Sequence, residues 1–295
     1  MAPGFAIDRH PAPALCPGEP GGRRARPFLK WVGGKRRLLP DLCRRTPPVY
    51  NHYLEPFVGG GALFFELGSP GAYLADINDD LIHCYATVRD DVEAVIARVS
   101  SHLERHTEPY FYGLRDAWNG STSAASVERA AAFIYLNKSC HGGVWRVGPR
   151  GFNVPWGRYK RPGFDGDILR SASAALRHAH LVAAPFEDVL RVAETRDFVY
   201  LDPPYDGTFS TYSSLGFRAA DQRRLAEVAG ELHRRGCFVL LSNSDTPLVR
   251  DLYRGWRTRT VLARRSINRD PAGRGGVSEL LIDNGFVSIG ERTSS

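Results

Sequence analysis

Four consecutive residues, Asp202-Pro203-Pro204-Tyr205, carry the strongest chemical signal in the chain. They follow the apolar run Phe198–Leu201, which reads as a buried strand, so the tetrapeptide falls at a strand's carboxyl end. A carboxylate (Asp202) and a neighbouring backbone carbonyl (Pro203) are two acceptors side by side. Such a pair can bond both hydrogens of an exocyclic amine, whose lone pair is otherwise delocalised into its ring. That favours a pyramidal nitrogen with its lone pair aimed at an electrophile. Pro204 has no N–H and restricts the residue before it, which helps to hold the Pro203 carbonyl. Tyr205 offers a ring on which a flat heterocycle can stack. The plainer alternative is a Pro-Pro turn capped by Asp.

Upstream, Glu55-Pro56-Phe57-Val58-Gly59-Gly60-Gly61 lies between a short strand, Tyr53–Glu55, and a helix expected from Ala62 to Leu67. Glycines at such a junction let a ligand approach the backbone, and the helix start offers free N–H groups. A second strand, expected over Ala72–Ala75, ends at Asp76, where a carboxylate can accept hydrogen bonds from ribose hydroxyls. The spacing is not G-x-G-x-x-G, and no G-x-x-x-x-G-K-[ST] occurs. Both facts speak against a dinucleotide or Walker-type site. A glycine turn that merely packs tightly is the alternative.

The elements around these loops alternate short apolar runs with longer amphipathic ones, the pattern of an α/β fold. Helices are expected over Asp79–Arg89, Val92–Arg105, Ser126–Asn137, Ile168–Arg177 and Ala219–Arg235. Further strands are expected over His180–Ala183 and Cys237–Leu241, with Thr258–Leu262 and Glu279–Ile282 as candidates. Between Ser139 and Gly163, Gly, Pro, Arg and aromatic residues crowd together, which reads as a hairpin with loops. A mostly parallel sheet with helices on both faces results, interrupted by a helical and loop-rich insert over 95–178. Residues 1–26 read as a tail without structure. The net charge of +7 suits a polyanionic partner and equally a solvated surface. The five cysteines are scattered without a C-x-x-C pair, which argues for a reducing compartment, no disulfide framework and no metal site. No apolar run is long enough to span a membrane.

In their order, these blocks resemble the Dam-like (D12-class, α-type) DNA adenine N6-methyltransferases from Pro27 to about Gly285. Phe28-Leu29-Lys30-Trp31-Val32-Gly33-Gly34-Lys35 is similar to the family's first cofactor motif. Glu55–Gly61 resembles its glycine-rich motif, Asp76-Ile77-Asn78 its ribose-binding acid, and Asp202–Tyr205 its catalytic loop. Asn153-Val154-Pro155-Trp156-Gly157-Arg158-Tyr159 is similar to part of its target-recognition hairpin, in the form carried by GATC-specific members. Ser242-Asn243-Ser244-Asp245, Arg265-Ser266-Ile267-Asn268 and Ser278-Glu279-Leu280-Leu281-Ile282 resemble its C-terminal blocks.

The resemblance implies a Rossmann-like S-adenosylmethionine-dependent sheet over 27–94 and 179–295, with a target-recognition insert over 95–178. It implies S-adenosylmethionine contacts for Trp31, Lys35, Glu55, Phe57, Gly59, Gly61, Asp76 and Asp202, and catalysis by Asp202, Pro203 and Tyr205 on a flipped adenine. Lys30, Arg146, Asn153, Pro155, Arg158 and Tyr159 would face double-stranded DNA. Arginine suits guanine or phosphate there. Plainer readings are a core position for Trp31 and solvated charges for Arg158 and Lys160. The implied protein is a monomer of the bacterial or phage-infected cytoplasm, associated with the nucleoid and with or without a cognate restriction endonuclease. Two departures stand out. Family members often carry aromatic-Asn-Gly where this chain has His141-Gly142-Gly143, and an acid where Ala184-Pro185-Phe186 has none. RNA adenine, cytosine N4 and a catalytically decayed DNA-binding regulator are the competing readings.

Overall fold

A computed structural model describes residues 12–13, 25–31, 33–120, 126–205, 217–263 and 277–292. The expected tail over 1–26 therefore lies mostly outside the described residues, although Ala12–Pro13 pairs with Val49–Tyr50. The block Arg265–Asn268 lies outside them as well.

Seven strands form the central sheet: β1 (Tyr53–Glu55), β2 (Tyr73–Asp76), β3 (His180–Ala183), β4 (Phe198–Leu201), β5 (Phe238–Ser244), β6 (Arg257–Ala263) and β7 (Val277–Asp283). Their spatial order is β6-β7-β5-β4-β1-β2-β3. The five strands from β5 to β3 run parallel, and β7 pairs antiparallel with both β5 and β6. The central strands β1 and β4 are buried at every position, as expected for parallel strands covered on both faces. From β1 the chain steps outward to β2 and β3, then returns to β4 on the other side. The order thus reverses between β1 and β4, and ligands of open parallel sheets bind outside the carboxyl ends at such a reversal. The glycine turn after β1, Asp76 on β2 and Asp202 after β4 all emerge there.

One apolar cluster covers each face. Helices α8 (Ala219–Arg234) and α9 (Pro247–Leu252) supply one of them, through Leu225, Val228, Leu232 and Val249. On the other face, α2 (Ala62–Leu67) leaves the glycine turn and buries Leu63, Phe64 and Phe65. Helix α3 (Asp79–Asp90) starts at Asn78, whose side chain accepts from the Leu81 N–H and satisfies an otherwise orphaned donor. Packed with it are α4 (Val92–Glu104), α6 (Val127–Ser139) and α7 (Gly166–Leu176). Helix α6 is buried from Ala130 to Asn137, and its small residues at 130–132 allow close neighbours. The same cluster extends into the short hairpin Val147–Gly148/Gly151–Phe152. There Trp145 lies 4.0 Å from Phe133 and stacks on Phe152 at 4.3 Å, ring centre to ring centre.

The observed elements follow the expected ones closely, with differences at strand ends and in the helices. The second strand runs Tyr73–Asp76, so Asp76 is its last residue and not the residue beyond it. Strand β5 continues past Leu241 to Ser244. Four helices were not expected: α1 (Leu39–Arg44), α5 (Glu108–Gly120), α9 and the short helix Ile289–Arg292.

Candidate active site

The glycine turn is held from three sides. Gly59 donates its N–H to Asp76 Oδ2 (3.0 Å), and its carbonyl accepts from the Tyr85 hydroxyl (2.7 Å). Val58 donates to the Ala75 carbonyl at 2.9 Å. Gly59 and Gly61 have φ of 45° and 64°, the left-handed region that glycine enters without a Cβ clash. Trp31 lies directly on the turn: a Cβ at Gly59 would sit 2.8 Å from its Nε1. Asp76 also accepts from the Asn78 N–H at 3.0 Å. Burial pushes its carboxyl up to about 6, against the opposing pull of these backbone donors. Beneath the turn, Glu55 is buried and accepts from the Tyr53 hydroxyl at 2.9 Å. Burial pushes its carboxyl well up, and the nearby Asp202 charge adds to that. Phe57 stacks on Phe186, with ring centres 5.2 Å apart. The aromatic partner after Pro185 is therefore present although the acid before it is not.

Lys35 ties Asp202 to the 31–35 segment, whose Trp31 lies on the glycine turn. The Lys35 ammonium, itself buried, lies 2.9 Å from Asp202 Oδ1 and donates to the Gly33 carbonyl at 2.8 Å. It also faces the Tyr205 ring at 4.6 Å. The Ser242 hydroxyl donates to the same Asp202 Oδ1 at 2.7 Å and meets the Tyr200 hydroxyl at 2.9 Å. Tyr205 donates to Glu279 Oε2 on β7 at 2.6 Å. Burial, with Asp202 and Glu279 close by, pushes the Tyr205 hydroxyl well up and keeps it a neutral donor. Pro203 is buried. The Pro204 carbonyl accepts from Gln222, which is held in turn by Asn243. Asp202 and Tyr205 thus sit in one bonded network with Lys35, Pro203 is buried between them, and Trp31, Gly59 and Asp76 form the neighbouring group. Ser242, Gln222 and Glu279 belong to this network; Ser242 and Glu279 fall in blocks that the resemblance picked out without assigning them a role, and Gln222 gave no signal in the sequence. They come from β5, α8 and β7 and meet Asp202–Tyr205 only when the sheet forms.

The residues expected on DNA form a second group, at the ends of α6 and the hairpin. Arg146 and Asn153 are exposed and bond to each other, Nε to Oδ1, at 2.6 Å. Pro155 is exposed, and its carbonyl accepts from the His141 N–H at 2.9 Å. Arg158 is exposed, and Tyr159 folds inward. The Lys30 ammonium donates to the Lys138 carbonyl at 3.2 Å and lies 4.1 Å from the Tyr159 ring centre. Lys30 is therefore engaged within the protein as well as lying near the outer face. Gly142 and Gly143 both have left-handed φ, 66° and 67°. Asn is the residue that best tolerates this region after glycine, so Gly142 keeps the backbone path open to the more usual Asn.

No group of metal-binding side chains occurs among the described residues, and no described helix is long and apolar enough to cross a membrane. The strand order, the glycine turn at the reversal point and the acid ending β2 define a Rossmann-like methyltransferase. Residues 31–267 match the model of the D12 class N6 adenine-specific DNA methyltransferases, and the chain belongs to that family. It is 38% identical over 270 residues to the Type II methyltransferase M1.LlaDCHI of Lactococcus lactis subsp. cremoris, covering 88% of this chain and 95% of that protein. It is 39% identical over 268 residues to a DNA adenine methylase of Serratia marcescens, covering 88% and 98%. A DNA N-6-adenine-methyltransferase of Escherichia phage P1 is 33% identical over 272 residues, 89% of this chain and 36% of that longer protein. Adenine-specific DNA methyltransferase activity follows from the family, as does S-adenosylmethionine as methyl donor.

Proposed function

We propose that this chain methylates N6 of an adenine flipped out of double-stranded DNA, with GATC as its recognition sequence, EC 2.1.1.72. The observation that carries the reading is the Lys35–Asp202 ion pair, which joins the strand-end carboxylate to the glycine turn's surroundings. When bound, S-adenosylmethionine supplies a sulfonium methyl as the electrophile. Asp76 accepts the ribose hydroxyls, and Trp31, Lys35, Glu55, Phe57, Gly59 and Gly61 shape the cofactor pocket. The residues fit such a group: a glycine turn with left-handed backbone carries the Trp31 ring directly on it, and the Asp76 carboxylate stands beside it. Lys35 and Ser242 hold the Asp202 carboxylate by Oδ1. Its other oxygen and the Pro203 carbonyl accept the two amine hydrogens, and the Tyr205 ring stacks on the base. Extrusion costs a few kcal/mol, which binding must supply. Transfer from a sulfonium is an in-line displacement with charge cancellation, so positioning dominates.

In this reading 27–94 and 179–295 form the catalytic part. The insert 95–178 meets DNA through Lys30, Arg146, Asn153, Pro155, Arg158 and Tyr159, of which Lys30 lies in the catalytic part beside it. The GATC assignment rests on the likeness of Asn153–Tyr159 to GATC-specific hairpins. The protein acts as a monomer in the cytoplasm of a bacterium or phage-infected cell, at the nucleoid, alone or beside a cognate endonuclease. Expression in a host without adenine methylation, followed by mapping of N6-methyladenine, tests this. Methylation at GATC is the expected result. Unmodified DNA from folded, cofactor-binding protein overturns the reading, and another methylated sequence overturns GATC alone.

Two measurements probe the cofactor pocket. Gly59→Ala puts a Cβ against Trp31 and a side chain in a left-handed position. S-adenosylmethionine affinity by calorimetry should fall about tenfold or more, with the circular dichroism spectrum kept. The second concerns Asp76, whose ordinary value of 3.8 is raised to about 6. Its folded form binds a proton more tightly than the unfolded chain, so its contribution to apo stability falls as pH rises through that window. Cofactor binding has the opposite sign, because the ribose needs the carboxylate. The dissociation constant should rise by up to about tenfold per pH unit below about 6, and Asp76→Asn should flatten the profile. A wild-type constant unchanged between pH 7 and 5 refutes the role of Asp76.

A further inference from the structure

The loop that carries Arg158 is bent against its own residue preference. Arg158 has φ of 58°, in the left-handed region. A residue with a Cβ persists there only where its surroundings over-determine it. They do so on both sides. Ahead of it, Trp156 bridges Cys140, and the Gly157 N–H donates to the Ser139 carbonyl at 2.9 Å. A Cβ at Gly157 would run into the carbonyls of Ser139 and Cys140, so only glycine permits this approach. Behind it, the Tyr159 carbonyl meets His106 Nε2 at 3.0 Å. His106 stands between α4 and α5, far from the loop in sequence. Its ring is fixed by a 2.9 Å bond between Nδ1 and the Tyr135 hydroxyl, and it lies on Trp156 with ring centres 4.4 Å apart. A carbonyl can only accept, so Nε2 carries a proton. In the neutral ring, Nδ1 then accepts from Tyr135. The bend separates two neighbours: Arg158 is exposed, whereas the Tyr159 ring turns in over Lys30.

We propose that His106 is a positioning residue for sequence recognition: by holding the Tyr159 carbonyl it keeps Arg158 in the conformation that presents its guanidinium to DNA. This rests on the reading above that Arg158 meets DNA. The role is indirect, because His106 is anchored by Tyr135 and Trp156 in the packed layer of α4–α6.

The test compares His106→Gln with His106→Met. Both remove the ring from Trp156 and have similar length, but only Gln retains an N–H for the Tyr159 carbonyl. Steady-state kinetics are measured on a duplex bearing the mapped methylation sequence and on duplexes with one base pair of it changed. His106→Met is expected to raise KM for the mapped duplex and to lose discrimination, each by about fivefold to tenfold. Its kcat at saturating DNA and its S-adenosylmethionine affinity should stay within about twofold, because the hydrogen bond is remote from the transferred methyl. His106→Gln should restore most of KM and discrimination. Equal behaviour of the two variants overturns the proposal. Arg158→Ala is run alongside. If it alters discrimination while His106→Met does not, the role of His106 fails and the DNA reading stands. If Arg158→Ala changes neither KM nor discrimination, the DNA contact of Arg158 is itself wrong, and the inference falls with it.

Discussion

Replacing Asp202 with alanine should cut single-turnover methyl transfer at least about 10²-fold while leaving duplex affinity within a few-fold. The carboxylate is held by Lys35 and Ser242 on one oxygen, so its position is set before any substrate arrives. Alanine removes the acceptor that would orient the amine, and the nitrogen lone pair then stays in the ring system. Lys35 keeps its bond to the Gly33 carbonyl and its contact with the Tyr205 ring but loses its counter-ion, so part of the effect is a loss of stability that the binding measurement controls for. In the proposed reading DNA affinity comes mainly from phosphate and groove contacts of the other group of residues. Asp202→Asn is the sharper variant. It retains one acceptor of nearly the same shape but adds a donor beside the Lys35 ammonium, and it should recover only part of the loss. Rapid-quench transfer to an oligonucleotide, with fluorescence anisotropy for binding, reads both quantities. Near-normal transfer by Asp202→Ala would remove Asp202 from the chemistry altogether.

The second large effect falls on stability. Asn137, fully buried near the end of α6, accepts from the Lys30 N–H at 2.8 Å and donates to the carbonyls of Lys30 and Gly143 at 2.7 and 3.2 Å. One side chain thus does for the 28–31 segment what a neighbouring strand would do. Asn137→Ala leaves three backbone groups without these partners and removes volume from a packed site. The expected loss is about 3 kcal/mol, read from the urea midpoint. Asn137→Asp puts a carboxylate where two carbonyls need a donor, and it should cost at least as much. A loss under about 1 kcal/mol would mean that the 28–31 segment is held by its apolar residues alone. Phe28 and Leu29 are buried, so that is the competing account.

Most of the architecture was legible because buried parallel strands are written as unbroken apolar runs. Phe198–Leu201 ends abruptly at Asp202-Pro203-Pro204, and that stop marked both the strand and the chemistry. Strand β5 outruns its expected end for an instructive reason. Its apolar run ends near Leu241, yet the strand continues through Ser242, Asn243 and Ser244, all buried. Those polar residues are tolerated inside because their partners are Asp202, Gln222 and each other. Helix α5 was hidden because Glu108-Pro109-Tyr110-Phe111-Tyr112-Gly113 carries Pro, Gly and aromatics, which local preference assigns to turns or strands. It forms because Phe111 and Trp118, two turns apart, are buried on one side of it. Of the site, Asp202, Asp76 and the glycine turn could be found from motifs. The blocks holding Glu279 and Ser242 could be recognised too, but not their bonds to Tyr205 and Asp202, since these form only when the strands pair. The ion pair of Lys35 with Asp202 was likewise invisible, because its partners stand far apart in the sequence and meet only in the fold.

The apolar layer that begins under β1 and β2 runs without a break through α3 and α6 to Trp145 and Phe152 beneath the hairpin. If 95–178 reads the target as proposed, a protein retargeted to a new sequence cannot receive it from a relative as a cassette, because its inward surface packs into the same apolar layer as the sheet. Exchange would then be confined to exposed positions such as Arg146, Arg158 and Lys160, with the inward residues left as they are.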